Sequence, residues 1–227
     1  MIAIVTWLWG GKYAPVYVHR LARGLSLYLH QPYRFIVMTD RPQDLPEYEC
    51  RSILDPDLLR LKGCFARLRM FDPKWQAQLD MFGERIVCID LDTVITGQLD
   101  ALFNRAEPFV ILQGANASNP CPYTACLFML RAGMHAEVWE DFSLEAVQTI
   151  RRYEFPDDQG WLWHKIPKAA GWNVGKESGI WSFRKRGWPA NDVLPQGTRM
   201  VAFPGARDPS QFTQLPWIKD NWFWLAG

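Results

Sequence analysis

Residues 85–103 read RIVCIDLDTVITGQLDALF, and the change of character along them decides the fold. Ile86, Val87, Cys88 and Ile89 form an unbroken apolar run, the pattern of a strand buried on both faces within a parallel sheet. The run stops at two carboxylates, Asp90 and Asp92, on either side of Leu91. Upstream, strand and helix patterns alternate. Ile2–Trp7 and Arg34–Thr39 read as buried strands, and a short strand is expected near Arg51–Leu54, after the breaker-rich RPQDLP. Val18, Leu21, Ala22, Leu25 and Leu29 recur at three- and four-residue spacing, which predicts a helix from about Pro15 to Leu29 with proline in its first turn. A further helical piece, Cys64–Phe71, ends at Asp72, because the residue before Pro73 is pushed out of the helical region. This alternation predicts an α/β fold with a doubly wound sheet, whose ligands bind beyond the carboxyl ends of the strands. Those ends carry Thr6, Trp7, Asp40 and Asp90.

Downstream the pattern loosens. Phe109–Leu112 and Tyr123–Leu130 are apolar but interrupted by Asn, Pro and Gly, and one helix is expected near Met134–Tyr153. No internal repeat or low-complexity linker divides the chain. Residues 1–227 therefore read as a single domain, with a nucleotide-type half over about 1–105 and a looser half over about 106–227.

Asp90 and Asp92 carry the chemistry of the central stretch. In an extended chain, residues i and i+2 point to the same side, so the two carboxylates are expected to face one another's charge. Each raises the other's pKa unless a cation neutralises them. A hydrated Mg2+ or Mn2+ shared with substrate phosphates suits that place at a sheet edge. Two enzyme classes use such a pair. Metal-dependent nucleotide-sugar transferases hold a divalent ion with it, and phosphatases of the haloacid dehalogenase type use a DxDxV spelling with the first Asp as nucleophile. The phosphatase motif usually follows the first strand of its domain, whereas DLDTV comes after several strand–helix units, so position favours the transferase. The phosphatase also needs a later Lys and an acidic pair behind another apolar strand, and Asp157-Asp158 follows RRYEFP, which is no such strand.

Composition narrows the class. With 25 Lys plus Arg against 24 Asp plus Glu, the net charge is +1, and 48% hydrophobic with 22% charged residues is an ordinary globular mixture. Disorder and coiled coil are excluded, and the missing basic excess argues against a nucleic-acid partner. No segment approaches the roughly 20 apolar residues of a transmembrane helix, and Met1 leads into IAIVTWLW without a basic leader or cleavage site, so no signal peptide is expected. The five cysteines are odd in number and contain no CxxC, which points to a reduced cytoplasmic protein, with Cys88 as a small buried hydrophobe and no zinc site. Twelve tryptophans are the compositional oddity, and nine of them fall from Trp139 onward.

The chain resembles glycosyltransferases of the GT-A fold, and family 8 among them. The resemblance runs through IAIVTWLWGGKYAPVYVHRLARGL (2–25), RFIVMTD (34–40), FARLRMF (65–71) and the central stretch, where DLDTVITGQLDALF is its most specific part. It continues in PYTACLFMLRAG (122–133), in PDDQGWL (156–162), similar to the family's DQ motif, and in VAFPGARDP (201–209), similar to its C-terminal phosphate-binding loop. The resemblance implies a mixed central sheet flanked by helices and a metal-dependent enzyme. Such an enzyme moves a sugar from a nucleotide-sugar donor, UDP-sugar above all, to a saccharide or glycoconjugate acceptor with retention of configuration.

Residue roles follow by the same implication. Asp90 and Asp92 would hold Mn2+ or Mg2+, and Asp90 and Leu91 would also meet the nucleotide. Thr6, Lys12 and Tyr13 would bind uracil and ribose, with Tyr13 stacking on the base or merely packing its loop. Asp40 would meet base or ribose, or else cap its turn. Arg67 would bind the phosphates, with Arg69 as the competing candidate. Gly205 and Arg207 belong to the phosphate loop. Asp158 and Gln159 would face the donor sugar and the acceptor hydroxyl as catalytic residues, while Asp157 either reaches the sugar or caps the following helix. Trp161 and Trp163 are expected to offer a stacking platform for saccharide, and Trp217, Trp222 and Trp224 to anchor the tail. One departure stands out. The family usually places a metal-ligating His in the C-terminal loop, followed by Gly and Lys, whereas Ala202 and Pro204 occupy the corresponding positions here. That substitution keeps open a catalytically weak nucleotide-sugar- or glycan-binding protein, beside the phosphatase, as an alternative function.

Overall fold

The computed structural model of the chain describes residues 1–115, 119–150 and 157–223. The first half runs β1 (Ile2–Leu8), α1 (Val16–Tyr28), β2 (Tyr33–Thr39), β3 (Glu49–Ser52), α2 (Pro56–Leu59), α3 (Pro73–Gln78), β4 (Arg85–Ile89), β5 (Val94–Ile95) and α4 (Asp100–Phe103). The second half runs β6 (Phe109–Gln113), β7 (Tyr123–Arg131), α5 (Glu137–Glu140), α6 (Leu144–Gln148), α7 (Asp158–Lys165), β8 (Ala170–Asn173), β9 (Ile180–Ser182), β10 (Met200–Ala202) and α8 (Pro216–Asn221).

Seven strands form one sheet in the order β3-β2-β1-β4-β7-β6-β8. The first four are parallel, β7 is antiparallel to both β4 and β6, and β8 is again parallel to β6, so the sheet is mixed as the resemblance implies. Every residue of β1 is buried, the consequence of its unbroken apolar run between two neighbours and under helices on both faces. One face packs Val5, Ile36, Cys88 and Phe128 against the segment 65–79 and α7; the other packs Ile4, Val37, Val87 and Met129 against α1 and α4. A smaller sheet, β5-β10-β9, lies beside the large one.

That arrangement fixes the acidic pair. The chain leaves the large sheet after Ile89 and enters the small one at Val94, and Thr93 N–H donates to Asp90 C=O across the intervening turn (3.2 Å). Asp90 and Asp92 therefore stand on a turn between two sheets, and not in the extended strand whose alternation the sequence reading used.

Other local expectations shift for identifiable reasons. The third strand spans Glu49–Ser52, not Arg51–Leu54, because its register is set by pairing with Ile36–Thr39. Phe65–Phe71 is a 3-10 helix entered through Cys64 in the left-handed region (φ 57°), and Asp72 then caps α3 by accepting from Lys74 N–H. The helix expected over 134–153 is broken into α5 and α6, because Ser143 leaves the helical region and caps a new start at Ala146 N–H; residues 151–153 lie outside the described residues.

Most of the second-half tryptophans build core. Trp217 and Trp222 join Phe183, Phe203 and Ile218 in a third apolar cluster that fastens the C-terminal segment, while Trp224 lies outside the described residues. Among the described residues no cysteine forms a disulfide, Cys88 is fully buried, and no helix is long and apolar enough to cross a membrane.

Candidate active site

A cavity of about 430 Å³ opens beyond the carboxyl ends of the central strands, where an α/β sheet places its ligands. Of the residues singled out in the sequence, Lys12, Arg67, Asp90, Asp92, Asp157, Asp158, Gln159 and Gly205 line it. Five separate stretches of chain thus converge on one space.

Arg67 is the hub. Its side chain is only 7% exposed and lies between two carboxylates, pairing with Asp90 on one side and with Asp158 at 2.6 Å on the other, and it donates a further bond to Ala125 C=O (3.1 Å). Burial alone would depress the guanidinium, but Asp158 and Asp90 outweigh it and hold Arg67 firmly charged. Burial likewise pushes the Asp158 carboxyl up to about 7, against the pull of Arg67. Arg67 lines the cavity where the resemblance would have it meet phosphates, and it also fixes Asp90 and the start of α7. Arg69, the competing candidate, points elsewhere, lying against Asp55, Asp72 and the Trp139 ring.

Asp92 is held from the other side. Tyr13 hydroxyl donates to its Oδ2 (2.5 Å), and Lys12 Nζ stands 4.0 Å from the same oxygen. Burial first, and the charge of Asp90 second, push the Asp92 carboxyl up to about 7, with Tyr13 and Lys12 pulling it back. The Tyr13 hydroxyl is itself driven well above the usual tyrosine range by burial and by Asp92, so it keeps its proton and donates. Its ring is flanked by Lys12 (4.4 Å to the centroid) and Tyr17 (4.9 Å between centroids), so Tyr13 packs its own loop against α1.

The Asp92 shift has a testable consequence for stability. Between about pH 4 and 7 the folded chain retains a proton that the unfolded chain releases, so this group lowers stability as pH rises through that window. Asp92→Asn, which keeps an acceptor for Tyr13 but has no charge to bury, should match wild type near pH 4. At pH 8 it should exceed wild type by up to about 4 kcal/mol. Thermal melts in chelator across this range measure the difference, and a variant no more stable than wild type at pH 8 contradicts the assignment.

The remaining candidates divide. Asp157 caps α7, accepting from Gly160 N–H (2.8 Å) and from Gln159 Nε2 (2.9 Å), while Asp158 accepts from Gln159 N–H (2.9 Å) and its own N–H bonds Gly63 C=O (2.8 Å). Thr6 does not reach the cavity: it is fully buried, and its hydroxyl donates to Ile89 C=O (2.8 Å), tying β1 to β4. Leu91 is core. Asp40 accepts from Gly10 N–H (3.0 Å), while Arg41 donates to Tyr13 C=O (2.6 Å), so the end of β2 braces the loop that carries Lys12 and Tyr13. Arg207 is not among the lining residues, although Gly205 is.

The tryptophan platform is overturned. Trp161 is 2% exposed, donates to Val138 C=O (2.7 Å) and packs edge-on against Phe142, while Trp163 packs half-buried against the same core. Residues two apart on a helix point in different directions, and here neither direction is the cavity.

Three lining residues gave no usable signal in the sequence. Gly63 (φ 104°) admits the backbone of Asp157 so closely that a Cβ would stand 3.0 Å from its Cα. Cys64 and Ser182 also face the space, and the buried Ser182 hydroxyl has no hydrogen-bond partner among the described residues. Each is a common residue in an ordinary local context. Only convergence in space marks it.

No family model matches the sequence, and no curated protein matches it either. Solved structures do. The galactosyltransferase LgtC in complex with donor and acceptor sugar analogs superposes with a TM-score of 0.62 at 13% identity, covering 99% of this chain and 98% of that chain. An active-site glutamine-to-glutamate mutant of LgtC gives a TM-score of 0.61 at 11% identity, covering 92% of this chain and 89% of that one. Topology and coverage together establish that the chain has the GT-A fold, the fold of the galactosyltransferase LgtC.

Proposed function

We propose that the chain is a glycosyltransferase that uses a UDP-sugar, with a divalent metal and with retention, and transfers the sugar to a saccharide or glycoconjugate acceptor. The observation that carries the proposal is the cavity itself: the DxD turn, the Arg67–Asp158 pair and Gln159 meet at the carboxyl edge of a sheet whose fold is that of a galactosyltransferase.

The donor set fits a hard cation. Asp90 and Asp92 offer carboxylate oxygens to one cavity, and the burial that opposes the Asp92 charge is relieved by a bound positive ion. These two residues would hold Mn2+ or Mg2+, leaving other positions to water and to the donor's oxygens, since Ala202 and Pro204 bring no side-chain ligand to the C-terminal loop. When bound, the ion supplies charge neutralisation for the departing pyrophosphate. The chain's own residues do the rest. Lys12 adds a positive charge at the same wall, Arg67 keeps Asp90 and Asp158 in place, and Asp158 fixes the first turn of α7 so that Gln159 faces the donor sugar. The glutamine named as an active-site residue of LgtC supports that last assignment. A cytoplasmic site of action, expected from the cysteines, belongs to the same proposal.

The phosphatase reading loses ground, because a nucleophilic Asp90 would have to leave the guanidinium that binds it. A nucleotide-sugar-binding protein without turnover stays as the second reading, favoured by Pro204 at the cavity wall. Thermal shifts with UDP, GDP and simple phosphoesters, each with and without Mn2+, separate the three. Stabilisation by UDP that depends on Mn2+, together with release of UDP from UDP-sugars, is the expected result. Phosphoester turnover without a nucleotide effect supports the phosphatase, and tight UDP binding without release supports the binding protein.

A further inference from the structure

The outer stripe of α1 grips the two walls of the cavity at once. Tyr13 precedes the helix and donates to Asp92 on the DxD turn; one turn later Tyr17 hydroxyl donates to Asp208 Oδ1 (2.8 Å), just beyond the C-terminal loop that brings Pro204 and Gly205 to the cavity. The two tyrosine rings lie against each other at 4.9 Å, and the other side of Tyr17 meets Trp222 edge-on at 5.0 Å. Asp208 is itself rigidly set. It accepts from Ser210 N–H (2.8 Å), and its own N–H donates to Gln211 Oε1 (3.1 Å), a reciprocal cap on the turn Pro209–Phe212. Farther along the same stripe Arg20 covers the Trp222 ring at 3.9 Å, and Tyr28 hydroxyl donates to Asn221 Oδ1 (3.0 Å).

We infer that Tyr13 and Tyr17 form a clasp, two positioning residues that set the separation between the DxD turn and the C-terminal loop and so tune the cavity for the diphosphate of its nucleotide ligand. The inference rests on the UDP-sugar reading above. It follows from three features of the geometry. Each hydroxyl holds a carboxylate from a different wall, the two rings are in contact, and Tyr13 stands on the short loop that leads directly into α1, whose first turn carries Tyr17. The pairing of β5 with β10 (Val94 opposite Val201) joins the two walls at their base, and the tyrosines hold the carboxylates that extend beyond those paired strands. Tyr28 serves as an internal control, because it fastens the same C-terminal segment at the end of α1 remote from the cavity.

The experiment compares Tyr17→Phe, Tyr13→Phe, the double variant, Tyr28→Phe, Asp208→Ala and Asp208→Asn. UDP affinity is read by calorimetry with Mn2+, and amide exchange over 203–212 is read without ligand. Loss of one such hydrogen bond is expected to weaken UDP binding about three- to tenfold for Tyr17→Phe and to speed exchange in the loop. Tyr28→Phe should leave UDP affinity unchanged. Asp208→Asn, whose amide oxygen still accepts from Tyr17, should keep the wild-type affinity that Asp208→Ala loses. The double variant should fall short of the sum of the single effects, because the two residues act through contacting rings. If Tyr17→Phe and Tyr28→Phe affect affinity alike, or if Tyr17→Phe leaves both affinity and loop exchange at wild-type values, the clasp is overturned. If wild type shows no UDP affinity, the donor assignment fails instead, and the exchange data still decide whether the clasp holds the loop.

Discussion

Asp92→Ala is expected to lower release of UDP from a UDP-sugar by roughly a hundredfold or more, the scale seen when one group that stabilises developing charge is removed. Asp92 lines the cavity, its oxygen is shared by Tyr13 and Lys12, and its burial leaves an unmet demand for positive charge. Removing it takes away one of two carboxylates that would hold the metal and frees Tyr13 from its only described hydroxyl partner. The fold should tolerate the change, because the same deletion removes a buried charge. Initial rates of UDP release with a Mn2+ titration, beside a melting curve, separate the two effects. A near-wild-type rate with unchanged Mn2+ dependence would sink the assignment of Asp92 as a metal-holding residue.

The second large effect is on stability. Arg67→Met removes a buried cation from between Asp90 and Asp158, and breaking a buried pair in this way costs about 3–5 kcal/mol. For a chain of this size that corresponds to a fall in Tm of roughly 6–20 °C. The loss should shrink as pH falls, since Asp158, already pushed up to about 7 by burial, takes up a proton more readily once the guanidinium is gone. It should also shrink in the double variant Arg67→Met with Asp158→Asn, which leaves no charge stranded beneath α7. Melting curves at pH 5.5 and 8 for the single and double variants test this. Equal Tm values for Arg67→Met and wild type at pH 8 would show that the pair carries no stability. A double variant no better than the single would show that the loss comes from packing, not from the unpaired carboxylate.

Trp161 shows how far a sequence carries a functional reading. A tryptophan just after a DQ motif suits a sugar platform or a core equally, because the ring is apolar and its N–H needs one acceptor. Helical periodicity fixes which residues share a face, not which face turns inward. The deciding partner is Val138 C=O on α5, and α5 exists as a separate short helix only because the chain breaks before Ser143. The same holds for Tyr13. Its loop position was legible, but the hydroxyl acquires its role from Asp92, which lies on a turn formed where two sheets meet.

By itself the sequence determined the strands β1, β2 and β4, the α/β alternation and the place of Asp90 and Asp92. Each of these rests on a short apolar run or a helical period that ends at an abrupt polar residue, and such signals are local. Tertiary structure alone decided that Arg67 pairs with two carboxylates, that Thr6 and Leu91 belong to the interior, and that Tyr17 meets Asp208. Those outcomes depend on pairings between residues far apart in the chain. Their energies come from burial that no single segment can supply, so they exist only once the whole sheet has assembled.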